Sequence, residues 1–134
     1  MLFLGLWVLS TVIGELLRQA GVRDAPSHWG SFFRQPGMAP VYSLESLVAA
    51  SYEEVAFRAY LISRLGLVPG KRAAWSVVVA GAFFALMHGY GPRGTLVVFA
   101  HGVVYGLVYL GGRSLPRLVV AHWFYNLAVM RHYL

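Results

Sequence analysis

Two adjacent glutamates and an arginine interrupt an otherwise apolar stretch, at Glu53, Glu54 and Arg58. Each charged side chain in the middle of a membrane span costs about 2.5–3.5 kcal/mol on insertion scales, so three together require a reason. Glu54 and Arg58 are four residues apart, one helical turn, and can pair. Glu53 is rotated from Glu54 by about 100° on a helix and points elsewhere. The spacing predicts one carboxylate held by arginine and one free for chemistry; the alternative is a purely structural ion pair or an interfacial amphipathic helix.

Two further apolar segments carry polar side chains at the same four-residue spacing. Phe84 is followed by His88, and His122 is followed by Asn126. An imidazole and a carboxamide on one helical face offer the hydrogen-bond donors that a developing oxyanion requires. Alternatively, His88 serves a helix end, and the other two residues hydrogen-bond between helices. Because polar residues in membrane spans generally face the bundle interior, we expect these groups to converge, which would suffice for attack of water on a carbonyl.

The composition indicates a membrane protein. Of the 134 residues, 58% are hydrophobic and 12% are charged, whereas soluble domains usually carry about 25% charged residues. A soluble domain of this size buries only part of its apolar surface. The length suits a single domain, residues 1–134.

Five apolar segments are separated by short turns, which predicts an all-α, polytopic protein with about five transmembrane helices and the active site inside the bundle. The first span covers residues 1–17, and a polar segment with several aromatic residues, 18–43, is expected to lie on the membrane interface. The second helix is predicted from Leu44 to Leu67, with Ser43 as its N-cap. The remaining helices are predicted at 73–90, 95–110 and 115–134, so residues 44–134 form a four-helix core.

The basic residues are scattered rather than clustered. The net charge is +6, from ten arginines and one lysine against five acidic residues. A nucleic-acid surface would gather its cations on one face, so no nucleic-acid partner is expected. The loop cations are divided five to five between the two predicted sides, so the positive-inside rule assigns no orientation. There is no cysteine, which excludes thiolate catalysis and cysteine-ligated zinc.

The three motifs, Glu-Glu-x-x-x-Arg, Phe-x-x-x-His and His-x-x-x-Asn, occur in this order on separate segments. The pattern resembles the CPBP family, which includes the Rce1-type CAAX-processing endopeptidases and the bacterial Abi-like membrane proteins. The resemblance covers roughly residues 44–130. The fourth segment also looks like the family, with Phe99, Gly102 and Gly106 ahead of the last motif. Small residues four apart have their own physical use, because they let helices approach closely.

The resemblance implies a glutamate-dependent intramembrane peptidase. We expect it to need no cofactor and no metal, because no His-Glu-x-x-His motif is present. Glu53 matches the glutamate that activates water together with His88. His122 and Asn126 match the pair that stabilises the oxyanion. Glu54 and Arg58 complete the first motif and are expected to position and tune it. Family members commonly have more than five spans, so the cavity is expected to be more open, or to be completed by a second copy in a homo-oligomer.

Three other functions fit the same residues. Glu53, His88 and His122 could ligate zinc, although no His-Glu-x-x-His motif is present. A non-catalytic Abi-like immunity or partner-binding protein could keep the polar core for specificity, and an ion or proton pathway would also use intramembrane carboxylates.

The excess of arginine over lysine suggests a GC-rich bacterial source and a place in the cytoplasmic membrane. A membrane-anchored protein with a C-terminal sorting tail then suits the site better as substrate than a prenylated CAAX protein.

Overall fold

The structure is a computed structural model that describes residues 2–22, 31, 34–67 and 73–133. These residues form five helices and no strand, so the all-α prediction is confirmed. The helices are α1 (Leu2–Gln19), α2 (Met38–Glu53), α3 (Ala73–Leu86), α4 (Pro92–Gly112) and α5 (Leu115–Tyr133). The predicted interfacial segment 18–43 lies partly outside the described residues, including all of 23–30.

Helix α2 begins at Met38, six residues before the predicted start at Leu44, so the assignment of Ser43 as N-cap is wrong. Gly37, with a φ of 82°, precedes the helix in a left-handed conformation that glycine adopts without strain. Pro40 then falls in the first turn, where a missing backbone N–H loses no intrahelical hydrogen bond. Pro40, which lay outside the predicted helix, is therefore part of it.

Beyond Glu53 the chain continues without a break as a π-helical segment, Glu54–Ile62, and closes with one α-helical turn, Ser63–Leu65. Hydrogen bonds in a π-helix run from residue i to i+5, and such segments occur frequently at functional sites. This segment contains both Glu54 and Arg58. The widened turn therefore falls on the part of the helix that carries the buried charges.

The next two helices also differ from their predicted bounds. Helix α3 ends at Leu86, and Gly89 follows with a φ of 62°. His88 therefore lies in the turn after α3, whereas the sequence predicted it in the last helical turn. Helix α4 begins at Pro92 rather than near Thr95, because proline is well suited to the first helical position.

Glycines permit a close approach between α3 and α4. A Cβ atom on Gly102 would lie 2.8 Å from the Cα atom of Gly81, and one on Gly106 would lie 2.8 Å from Cγ1 of Val77. This confirms the reading of Gly102 and Gly106 as residues that permit close packing. A core of buried side chains surrounds this contact and is shared by α1, the π-helical segment and α3–α5. Its members are Leu6, Ile62, Val77, Ala80, Tyr105, Tyr109, Leu118 and Ala121.

The outer surface of the described residues is rich in apolar side chains. On α1, Leu4, Val8, Val12 and Leu16 repeat every four residues and are all exposed. Large apolar side chains are also exposed on each of the other four helices. Among the described helices, α4 alone has both the length and the apolar composition needed to cross a membrane, and α3 is apolar but shorter, with 14 residues.

Candidate active site

The buried charges of the π-helical segment, Glu54 and Arg58, form a contact with a third side chain, from α5. Nη1 of Arg58 lies 3.2 Å from Oε1 of Glu54, which confirms the predicted pair. The Nδ1 atom of His122 lies 2.9 Å from the same oxygen and donates a hydrogen bond to it. Glu54 is fully buried, and Arg58 and His122 are nearly so. One carboxylate oxygen therefore holds a guanidinium from its own helix and an imidazole from α5.

Glu53 takes no part in the ion pair of Glu54 and Arg58, as helical geometry predicted. Its side chain is 25% exposed, and its Oε2 atom lies 3.6 Å from Nε2 of His122, beyond hydrogen-bond distance. It lines a cavity of about 160 Å³, together with His88, His122 and Asn126. Glu54 and Arg58 are not among the lining residues. The structure therefore brings four of the six predicted site residues to one cavity and places the other two behind its wall.

His88 reaches the cavity from the turn after α3. Its Nδ1 atom lies 2.7 Å from the carbonyl oxygen of Phe84, which can only accept, so Nδ1 carries the hydrogen. In the neutral ring, Nε2 is then the nitrogen with a free lone pair. Phe84 also packs edge-on against the His88 ring, with centroids 4.7 Å apart. Their four-residue spacing still brings these two side chains into contact, although His88 itself lies outside the helix.

Asn126 is brought to the cavity by the packing of α5 against α2. Trp123, three residues earlier, donates a hydrogen bond from Nε1 to the carbonyl oxygen of Ser43, at 2.9 Å. This bond joins α5 to the first half of α2 beside the cavity. The remaining lining residues come from α2 and from the turn before α4, and the sequence reading did not single them out. They are Tyr42, Glu45, Ser46, Ala49 and Tyr90.

Two aromatic residues enclose the buried charges. Phe84 lies beneath Arg58, with the guanidinium carbon 4.4 Å from the ring centroid, and Tyr105 lies at 5.2 Å from the same atom. Tyr105 is stacked on His122 at a centroid distance of 5.3 Å. The sequence reading missed Tyr105. Its only signal is an aromatic residue between Gly102 and Gly106, and many core residues share that signal.

His101 takes part in a second polar contact, away from the cavity. Its Nε2 atom lies 2.6 Å from the hydroxyl of Ser10 on α1, and that hydroxyl lies 2.9 Å from the hydroxyl of Tyr125 on α5. The buried His101 therefore serves hydrogen bonding between helices α4, α1 and α5. In the described part of the chain, no three histidine or acidic side chains are arranged to hold a metal ion.

Comparisons with known proteins bear on this geometry. The family model described as type II CAAX prenyl endopeptidase Rce1-like matches residues 35–128. This range covers more than two thirds of the chain and includes every residue of the three motifs. Comparison with curated proteins and with solved structures returned no significant match. Because the match spans α2–α4 and most of α5, the chain belongs to the Rce1-like family of type II CAAX prenyl endopeptidases, which is membrane-embedded.

Proposed function

We propose that this protein is an intramembrane endopeptidase that hydrolyses a peptide bond near the C-terminal tail of a membrane-associated protein. The observation that carries the proposal is the convergence of Glu53, His88, His122 and Asn126 on one cavity. These side chains come from α2, the turn after α3 and α5, which are far apart in the sequence. Membership of a protease family supports a hydrolytic role for the cavity.

We further propose that the whole chain forms a single polytopic domain in a bacterial cytoplasmic membrane. Contiguous exposed apolar surface on a protein indicates contact with lipid or with another protein. Here the exposed side of every described helix carries large apolar side chains. The regular stripe of Leu4, Val8, Val12 and Leu16 on α1 is an example of a face suited to acyl chains. Residues 44–134 would form the catalytic core of this domain.

In the proposed reaction, a water molecule binds between Glu53 and His88. The Glu53 carboxylate takes one proton from this water, and the resulting hydroxide attacks the carbonyl carbon of the scissile bond. Nε2 of His88, oriented by the bond from Nδ1 to Phe84, accepts a hydrogen bond from the water. The proton taken by Glu53 is returned to the amine when the carbon–nitrogen bond breaks. No atom is gained or lost apart from the water that is consumed.

His122 and Asn126 are proposed to stabilise the oxyanion. The side-chain amide of Asn126 supplies one donor, and Nε2 of His122 supplies the other. Since Nδ1 of His122 already donates to Glu54, donation from Nε2 requires hydrogen on both ring nitrogens. Glu54 and Arg58 act from behind the cavity wall by holding this imidazole in place.

The function is tested by following substrate tails in cells. Membrane proteins from cells with the wild-type gene, a deletion, or Glu53→Gln or His88→Ala variants are compared by mass spectrometry of their C-terminal peptides. We expect the same uncleaved tails to accumulate in the deletion and in both variants. The control is Glu15→Gln, because Glu15 is an exposed glutamate on α1 that bonds only with Arg18 and Gln19 among the described side chains. Normal cleavage by a folded Glu53→Gln protein would contradict the proposal.

A second experiment, with the purified wild-type protein, distinguishes the two proposed substrate classes. A farnesylated CAAX peptide and an unprenylated membrane-anchored tail are incubated with the enzyme in nanodiscs. We expect cleavage of the unprenylated tail identified in cells. Cleavage of the farnesylated peptide alone would correct the substrate class but not the reaction.

A further inference from the structure

Tyr105 contacts the two side chains that hold Glu54, although it does not line the cavity. It lies on α4 and is 1% exposed. Its ring is stacked on the imidazole of His122, with an angle of 27° between the planes. The guanidinium carbon of Arg58 lies 5.2 Å from the centroid of the same ring. One aromatic side chain therefore contacts both partners of the Glu54 carboxylate.

A single hydrogen bond does not fix the orientation of an imidazole. The bond from Nδ1 of His122 to Glu54 fixes the position of one ring atom, but the ring can still rotate about that contact. Rotation would move Nε2, the atom that faces the cavity near Glu53. Tyr105 is stacked on the imidazole, with centroids 5.3 Å apart, whereas Phe84 packs edge-on against it, with centroids 6.0 Å apart. The two rings contact the imidazole in different orientations and so oppose its rotation.

The ring of Tyr105, and not its hydroxyl, makes these contacts. Among the described residues, the hydroxyl is buried and has no hydrogen-bond partner. Burial of a hydroxyl without a partner is unfavourable, so this group does not explain the place of a tyrosine here. Stacking depends only on the aromatic ring, and phenylalanine would preserve it.

We propose that Tyr105 is a positioning residue that sets the plane of the His122 imidazole, and thereby the direction of Nε2, through aromatic stacking. The proposal rests on the proposed function where it concerns catalysis. Tyr105 does not line the cavity in which water and substrate are proposed to bind. Its effect on the reaction is indirect, because displacement of a catalytic group by about 1 Å can reduce a rate by roughly 100-fold.

The test compares Tyr105→Phe with Tyr105→Leu. We expect Tyr105→Phe to keep kcat within about two-fold of the wild type, and Tyr105→Leu to lower kcat by about 10- to 100-fold with little change in KM. The control is Tyr109→Leu, one turn further along α4. Tyr109 is also a buried core tyrosine, but its described cation contact is with Arg113 rather than Arg58. Equal loss of kcat in Tyr105→Leu and Tyr109→Leu, or in Tyr105→Phe and Tyr105→Leu, would overturn the proposal.

A second measurement does not depend on peptidase activity. Ring-nitrogen NMR of 15N-histidine-labelled protein reports the hydrogen-bonded state of His122, which is assigned by the loss of its signals in His122→Gln. We expect the His122 signals of Tyr105→Phe to match the wild type and those of Tyr105→Leu to shift and broaden. Unchanged His122 signals in folded Tyr105→Leu would overturn the proposal even if no substrate is cleaved. A wild-type protein that cleaves nothing, but shows the expected NMR change, would contradict only the peptidase function.

Discussion

Nδ1 of His122 donates a 2.9 Å hydrogen bond to Oε1 of Glu54, across 68 positions of the sequence and between two helices. Arg58 approaches the same oxygen to 3.2 Å. A carboxylate without these partners would be very unfavourable in so buried a place. The same carboxylate therefore neutralises the buried Arg58 and orients His122, whose side chain lines the cavity.

Replacement of Glu54 by glutamine should destabilise the protein strongly. The change keeps the shape of the side chain but removes the negative charge beside Arg58, which is 1% exposed. Loss of one partner from a buried ion pair typically costs about 3–5 kcal/mol, because the other charge is left uncompensated. Chemical unfolding in detergent, followed by circular dichroism, measures the loss.

The control for this prediction is Glu45→Gln, because Glu45 is exposed on α2 and has no ion pair among the described residues. The double variant Glu54→Gln/Arg58→Met should recover part of the stability, since both charges are removed together. If Glu54→Gln unfolds at the same denaturant concentration as Glu45→Gln, the buried pair does not contribute as described.

Replacement of Asn126 by alanine should lower kcat without unfolding the protein. As an oxyanion donor, its carboxamide would contribute about 100- to 1,000-fold to kcat. Steady-state kinetics on the tail substrate measures this change. The control is Gln19→Ala, which removes an exposed carboxamide of α1 that bonds to Glu15. This variant should leave kcat unchanged. A large loss of stability with a normal kcat in the folded fraction would instead indicate that Asn126 serves helix packing.

Alanine at position 102 should be poorly tolerated. Its Cβ atom would lie 2.8 Å from the Cα atom of Gly81, which is backbone and cannot move aside cheaply. Overpacking of this kind typically costs about 1–3 kcal/mol. Gly14→Ala is the matched control, because nothing lies within 4 Å of a Cβ atom there, and alanine favours a helix by roughly 0.5–1 kcal/mol over glycine. Equal melting temperatures for the two variants would show that α3 and α4 can separate without cost.

Replacement of Ser10 by alanine should weaken the attachment of α1 to α4 and α5. The Ser10 hydroxyl lies 2.6 Å from Nε2 of the buried His101, and loss of a partner for a buried polar group costs about 1–3 kcal/mol. Thr11→Ala is the neighbouring control, since its hydroxyl bonds to Trp7 on the same helix and is exposed. Melting temperatures of both variants, with and without His101→Ala, give the coupling between Ser10 and His101. Additive effects would mean that the two side chains do not interact.

Much of the site could be predicted from residues four apart. The pairing of Glu54 with Arg58 follows from helical geometry, which is local, and His88 also contacts Phe84, four residues before it. Helix ends were less well predicted. The predicted starts near Leu44 and Thr95 each fall after a proline, Pro40 or Pro92, that in the structure lies within the first turn of the helix, where proline is tolerated. His88 was predicted inside α3 because the sequence does not show where an apolar run stops being helical.

The sequence by itself determined the all-α fold, the family and four of the side chains that line the cavity, Glu53, His88, His122 and Asn126. These four could be found because a polar group in an apolar span is unfavourable unless it faces the interior of the bundle. Only the tertiary structure decided which partners these side chains have. That His122 bonds to Glu54, and that Tyr105 is stacked on His122, depends on how closely α4 and α5 approach the π-helical segment. This approach results from packing between residues distant in the chain, such as Ile62 and Gly106, and no local spacing contains it.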